Sequence, residues 1–205
     1  MKVAVVGGTG DFGLALALRL AEAGEDVVIG SRDAERADWK GAEVGVRGTA
    51  NEDAVQGVDL IVLAVQADAA LSTAESLAEA IGDTPVLSVA SELRFTKQGV
   101  LPGEDVRSIA ERTQDVLRAP VVAGLHSLAA ASLASGKADG DALVCGDDAG
   151  AKELALTLAS LIVAGRALDA GPLASARALE GMTAVIVNLN KRYRGHAGVQ
   201  VTGLP

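Results

Sequence analysis

Aromatic side chains are almost missing from this chain of 205 residues: two Phe, one Trp and one Tyr, 2% of the sequence. A core without rings must be built from Ala, Val, Leu and Ile, in a chain that is 49% hydrophobic. Cysteine is as scarce. The single Cys145 excludes an intrachain disulfide framework and any multi-cysteine metal site; no metal is expected, and a reducing, cytoplasmic setting is. Basic residues are outnumbered, 18 Lys and Arg against 27 Asp and Glu, for a formal net charge of −9. Such a balance argues against broad electrostatic binding of DNA or RNA, so no nucleic-acid partner is expected. Long apolar runs are absent too. Charge or glycine interrupts each one well before about 18 residues, so no transmembrane helix and no membrane partner are expected. The first apolar segment already ends at Gly7 and Gly8, too short for a signal-peptide core.

What the chain does have is alternation. Short aliphatic runs at Val3 to Val6, Val27 to Ile29, Leu60 to Val65, Val86 to Val89, Val121 to Ala123 and Ala142 to Val144 read as strands. Unbroken apolar character marks strands buried on both faces. Helical spacing separates them: Leu14 to Ala23, Asp33 to Lys40, Ala69 to Ile81, Asp105 to Leu117 and Ala151 to Ile162. Val44 to Val46 reads as a brief strand, Ala167-Leu168 as another, and Asn51 as the cap of a short helix. Ser91 to Gly103 has no clear period and reads as a loop. Leu173 to Asn190 reads as one long helix with Met182, Val185, Ile186 and Leu189 on an apolar face. The pattern predicts an α/β fold: a doubly wound, mostly parallel sheet with a small C-terminal helical extension. The one candidate boundary is Gly171-Pro172, which divides the chain into residues 1–170 and 171–205.

Gly8-Thr9-Gly10-Asp11-Phe12-Gly13 matches G-x-G-x-x-G. It follows a strand, opens a helix and lies inside a strand–helix–strand unit, the context a dinucleotide fingerprint requires. Gly8 allows the tight turn, Gly10 lets backbone N–H groups approach a pyrophosphate, and Gly13 lets the helix pack closely. Binding proteins for NAD place a carboxylate at the end of the second strand. Here that end reads Gly30-Ser31-Arg32. Arg32 and Arg36, four residues apart on one helix face, suit a 2′-phosphate, with Ser31 and Thr9 adding hydroxyls. The expected cofactor is NADP(H).

Val5-Val6-Gly7-Gly8-Thr9-Gly10, Ile29-Gly30-Ser31-Arg32-Asp33, Val144-Cys145-Gly146-Asp147-Asp148 and Asp169-Ala170-Gly171-Pro172-Leu173 together resemble the coenzyme F420-dependent NADP oxidoreductases. The tail Asn188 to Gly198 looks like the actinobacterial branch. The resemblance implies a Rossmann-type, homodimeric enzyme moving a hydride between NADP(H) and the deazaflavin coenzyme F420. Carried over by position, Thr9, Ser31, Arg32 and Arg36 would hold the 2′-phosphate, and Gly8, Gly10, Asp11 and Phe12 would line the pyrophosphate. Val65 and Gln66 would border the nicotinamide, and His126, Ser127 and Leu128 would lie beneath the deazaflavin. Gln66-Ala67-Asp68 and Glu92 depart from the family pattern, both on the side of the second substrate.

The cofactors carry a hydride transfer, so no acid–base triad is required. His126 is the one catalytic candidate, by hydrogen bonding the deazaflavin. Lys191, Arg192 and Arg194 suit a helix C-terminus, with attraction of the phosphate and oligoglutamate tail of F420 as the other reading. Cys145, with two acidic neighbours, reads as inert, and Asp147 and Asp148 as helix caps rather than metal ligands. Two other readings stay open: an NADPH-dependent reductase of another small acceptor (a flavin, quinone or imine), and a non-catalytic NADP(H)-sensing domain.

Overall fold

Each aliphatic run becomes a strand in the computed structural model, which describes residues 1–204. In chain order the elements are β1 (Lys2–Val6), α1 (Asp11–Glu22), β2 (Asp26–Ser31), α2 (Ala34–Glu43), β3 (Arg47–Ala50), α3 (Asn51–Ala54), β4 (Leu60–Leu63), α4 (Ala67–Ile81) and β5 (Val86–Ser88). There follow β6 (Leu93–Thr96), β7 (Gly99–Pro102), α5 (Ile109–Val116), β8 (Val121–Gly124), α6 (Ala130–Ser135), β9 (Ala142–Gly146), α7 (Ala149–Ile162), β10 (Ala167–Asp169) and α8 (Ala176–Tyr193). A 3-10 turn at Leu173–Ser175 leads into α8.

The main sheet has the order β10-β9-β8-β5-β4-β1-β2-β3. Its strands run parallel except where β8 meets β9. Successive residues of one strand feed opposite layers. Val3 and Val5 pack with Leu16, Leu20 and Leu158 beneath α1 and α7. Ala4 and Val6 pack with Leu63, Leu77 and Ile109 beneath α4 and α5. This is the doubly wound, Rossmann-type architecture. The chain steps from β1 outward to β3, then crosses to β4 on the other side of β1. That reversal opens a crevice beyond the carboxyl ends of β1 and β4, where ligands of such sheets bind. Among the described residues no helix is long and apolar enough to cross a membrane.

Four local expectations are corrected. The strand placed at Val44 to Val46 lies at Arg47–Ala50, because Val44 and Gly45 close α2 and turn the chain. The helix expected from Asp105 begins at Ile109, where Ser108 and Glu111 form a reciprocal capping box. Ser91 to Gly103 is not a loop but holds the antiparallel hairpin β6–β7. Its two-residue turn, Lys97-Gln98, lacks the Asn-Gly or Asp-Gly signal by which such turns are recognised. The apolar face of α8 is divided: Ile186 is buried and Met182 packs on the core, while Val185 and Leu189 are exposed.

Polar side chains hang α8 and the hairpin on the sheet. Asn188 of α8 donates to the Val100 carbonyl at 2.7 Å and accepts from its N–H at 2.9 Å. Glu180, 2% exposed, accepts from the N–H groups of Ile109 and Ala110 at 3.0 and 3.2 Å. With the capping box it satisfies the free donors at the start of α5. Burial pushes the Glu180 carboxyl from 4.5 up to about 7, against the pull of those two N–H groups. The folded chain therefore holds this proton more tightly than the unfolded chain. The resulting stability is present below the unfolded value and is lost as pH rises through about 7. Glu180→Gln removes this dependence. Its thermal midpoint should gain on the wild type between about pH 5 and about pH 8; a constant difference across that range contradicts the assignment.

Candidate active site at the carboxyl edge of the sheet

The glycine turn is held by backbone alone. The N–H of Gly8 donates to the carbonyl of Val5 at 3.1 Å, and the N–H of Gly7 to that of Gly30 at 3.1 Å. A Cβ on Gly8 would stand 2.6 Å from the Ile29 Cβ, and one on Gly13 would stand 2.8 Å from the Gly8 Cα. Both glycines therefore serve the close approach of α1 to β1 and β2. Gly10 differs. A Cβ there would meet only the Gly7 carbonyl, at 3.6 Å, an ordinary contact. Gly10 is the N-cap of α1 and supplies no side-chain cap. The first-turn N–H groups of α1 are thus left for a ligand, at the helix end that favours anions.

Two clefts open from this turn. The larger, about 910 Å³, is lined by Thr9, Gly10, Ser31, Arg32, Arg36, Asn51, Val65 and Gln66, among others. Ser31 accepts from the N–H of Asp33 at 3.2 Å, and Asp33 caps α2 by accepting from the N–H of Arg36 at 3.0 Å. One oxygen of the Asp33 carboxylate is therefore committed to backbone. Arg32 and Arg36 are exposed and, among the described residues, neither is ion-paired, which leaves two guanidinium groups for an anion beside the Ser31 hydroxyl. The smaller cleft, about 350 Å³, is lined by Gly10, Asp11, Phe12, Gly13, Val65, Gln66, Ser91, His126, Leu128 and Thr183, among others. Gly10, Ala64, Val65 and Gln66 border both. The two clefts meet at the carboxyl end of β4.

His126 reaches the smaller cleft through an unusual backbone. Leu125, leaving β8, has φ of 67°, a left-handed conformation that costs a non-glycine residue roughly 1–2 kcal/mol. The ring is 6% exposed. Burial pushes its pKa from 6.5 down to about 4, so it is neutral near pH 7. Its Nδ1 lies 3.0 Å from the Ser91 hydroxyl, and its Nε2 is buried with no partner.

Not every candidate reaches a cleft. Gly8 is buried in the turn and packs rather than lines. Ser127 is 2% exposed and spends its hydroxyl on the Asp141 carbonyl at 3.2 Å. Glu92 turns from the cleft to pair with Arg112 at 3.0 Å, so its charge does not bear on an anionic ligand there. Asp148 caps α7 through the N–H of Ala151, and Asp147 accepts from the N–H of Leu173. Burial raises the Cys145 thiol to about 12, which leaves it unreactive. Sequence reasoning missed Ser91, Asn51 and Thr183. Thr183 sits within α8 and Ser91 in a segment read as loop, so only tertiary placement brings them to the cleft walls.

Comparison with known proteins gives one direction. A family described as NADP oxidoreductase, coenzyme F420-dependent, matches residues 2–92. The F420-dependent NADP reductase of Methanothermobacter thermautotrophicus is 37% identical over 227 aligned residues, covering 100% of this chain and 96% of that protein. That of Methanocaldococcus jannaschii is 34% identical, covering 100% of this chain and 99% of its own length. The crystal structure of an Arthrobacter sp. FB24 protein superimposes with a TM-score of 0.85 at 26% identity, covering 100% of both chains.

The two glycines of the turn should separate folding from binding. Gly8→Ala is expected to cost about 1–3 kcal/mol through the clash with Ile29. Gly10→Ala should leave the thermal midpoint near wild type while weakening a bound dinucleotide about tenfold or more. Calorimetric titration alongside thermal unfolding reads both; full affinity in Gly10→Ala contradicts the assignment.

Proposed function

This chain belongs to the F420-dependent NADP reductases, and from that membership we infer that it is an oxidoreductase moving a hydride between NADP(H) and the deazaflavin coenzyme F420. The observation that carries the reading is the junction of two clefts at Gly10, Val65 and Gln66. A nicotinamide reaching that junction from the larger cleft meets a second ring entering from the smaller one. The nicotinamide and the deazaflavin supply the hydride chemistry; the chain supplies position and electrostatics.

The larger cleft takes NADP(H). Its pyrophosphate lies over Gly10 and the bare N–H groups of α1, and its 2′-phosphate against Thr9, Ser31, Arg32 and Arg36. Uncommitted guanidinium groups beside a hydroxyl support this side. Val65 and Gln66, on the wall that both clefts share, border the nicotinamide, while Asp11, Phe12 and Gly13 at the start of α1 line the smaller cleft. The smaller cleft takes F420 against His126 and Leu128, with His126 as a neutral hydrogen-bonding partner rather than an acid or base. Ser127 and Gly8 contribute by holding backbone. We place the exchange in the cytosol, where NADP(H) is a soluble carrier.

Residues 1–170 form the NADP-binding unit and 171–205 the extension that closes the F420 side and joins two copies. Val185, Leu189 and Tyr193 are exposed and recur every four residues along α8, which puts them on one helix face. Such an exposed apolar stripe suits an interface, and a second copy of the chain is its occupant in this reading.

Anaerobic mixing with NADPH and oxidised F420, followed by deazaflavin absorbance, tests the activity. NADPH should bleach F420 and NADH should not. Replacing Arg32 and Arg36 with Ala should raise the KM for NADPH about 100-fold, since each charge-assisted contact contributes about a factor of ten. Equal use of NADH and NADPH by the wild type contradicts the 2′-phosphate assignment. Sedimentation should give a dimer that Val185→Asp with Leu189→Asp separates into monomers; a monomeric wild type contradicts the interface.

A further inference from the structure

Three side chains on the wall of the smaller cleft form a hydrogen-bonded chain whose protons can be counted. Thr183 Oγ1 donates to the backbone carbonyl of His126 at 3.0 Å. A carbonyl only accepts, so the one hydroxyl proton of Thr183 is committed there. Thr183 Oγ1 also lies 2.8 Å from Ser91 Oγ. With its own proton spent, Thr183 accepts, and Ser91 donates. Ser91 Oγ lies in turn 3.0 Å from His126 Nδ1. The Ser91 proton is now spent as well, so Ser91 accepts and Nδ1–H donates.

We propose that Thr183 and Ser91 are positioning residues that fix His126 in the Nδ1–H tautomer, so that its Nε2 offers a lone pair to an N–H or O–H group of the F420 ring system. The proposal rests on the reading that F420 occupies the smaller cleft and adds the direction of the hydrogen bond. Nε2 is buried and is left without a partner inside the chain, a costly state for an acceptor unless a ligand meets it. The ring is 6% exposed and lines the cleft. Burial favours the neutral form, so only one ring nitrogen carries a proton, and the chain of hydroxyls decides which. The three residues come from three places: Ser91 follows β5, His126 follows β8 and Thr183 lies in α8. The tautomer is thereby tied to the seating of α8 against the sheet.

The chain has two histidines, His126 and His196, so the tautomer is read directly from long-range ¹H–¹⁵N spectra of the full-length protein labelled at histidine, with His126→Ala for assignment. The free wild-type protein should show a protonated Nδ1 and an unprotonated Nε2 at His126. Ser91→Ala should shift His126 toward the Nε2–H form and raise the KM for F420 about tenfold, the effect of one lost hydrogen bond. Its affinity for NADPH should stay within about twofold of wild type. Ser91→Thr, which keeps the hydroxyl, should restore both the tautomer and the KM. An Nε2–H tautomer in the wild type overturns the proposal, as does an unchanged tautomer or an unchanged KM in Ser91→Ala. The spectra need no substrate. A wild type with the expected tautomer but no F420 turnover therefore overturns the F420 reading on its own and leaves the proton chain standing.

Discussion

The first helix approaches the first two strands at the distance of backbone contact, and the rest of the site follows from that approach. Gly13 stands against Gly8, and Gly8 against Ile29, with no room for a methyl group at either. The helix is thereby drawn in at the one place where the strand order reverses between β1 and β4. Its N-terminus is left uncapped and faces the crevice. A glycine of a different kind sits between the two: Gly10 has space around it and borders both clefts. One turn thus combines a packing constraint with a binding surface, and single methyl groups distinguish them.

The polar groups divide in the same way. Asp141, Glu180 and Asn188, which hold the fold, have their partners inside the chain. Asp141, 2% exposed, accepts from the N–H groups of Arg166 and Val201, which hold its pKa down to about 2 and anchor the C-terminal tail. Glu180 anchors α8 to the start of α5, and Asn188 anchors the hairpin to α8. Groups at the clefts are left with unused capacity: the first N–H groups of α1, the guanidinium groups of Arg32 and Arg36, and Nε2 of His126. Unspent hydrogen bonds and charge run from Arg32 and Arg36 in the larger cleft to His126 in the smaller one. Two cofactors that exchange a hydride directly need that path and little else from the protein.

Much of this was legible in the sequence, for reasons that differ by element. The sheet was legible because strands buried on both faces are written as unbroken apolar runs, as at Leu60 to Leu63. The glycine turn was legible because its pattern, its strand and its helix coincide. The absence of a carboxylate after β2 pointed to the free arginines at 32 and 36. The hairpin was not legible, because its strands are short, half-exposed and joined by a turn without glycine at its centre. Ser127 was misplaced because adjacency to His126 says nothing about which way a strand-end side chain turns; its hydroxyl faces Asp141 instead. The Thr183–Ser91–His126 chain joins residues 91 and 183, and no local pattern reports a contact at that separation. Glu92 departs from the family pattern, and only the fold supplies Arg112 as its partner.

The two clefts share Gly10, Ala64, Val65 and Gln66, and a hydride handed over at such a junction passes from ring to ring without exchange with water. NADPH deuterated at the transferable position, mixed with oxidised F420 and the protein in ordinary water, tests this directly. Direct transfer puts deuterium in the reduced deazaflavin with no dilution by solvent. Loss of the label to water, or reduced F420 carrying only solvent hydrogen, would contradict it.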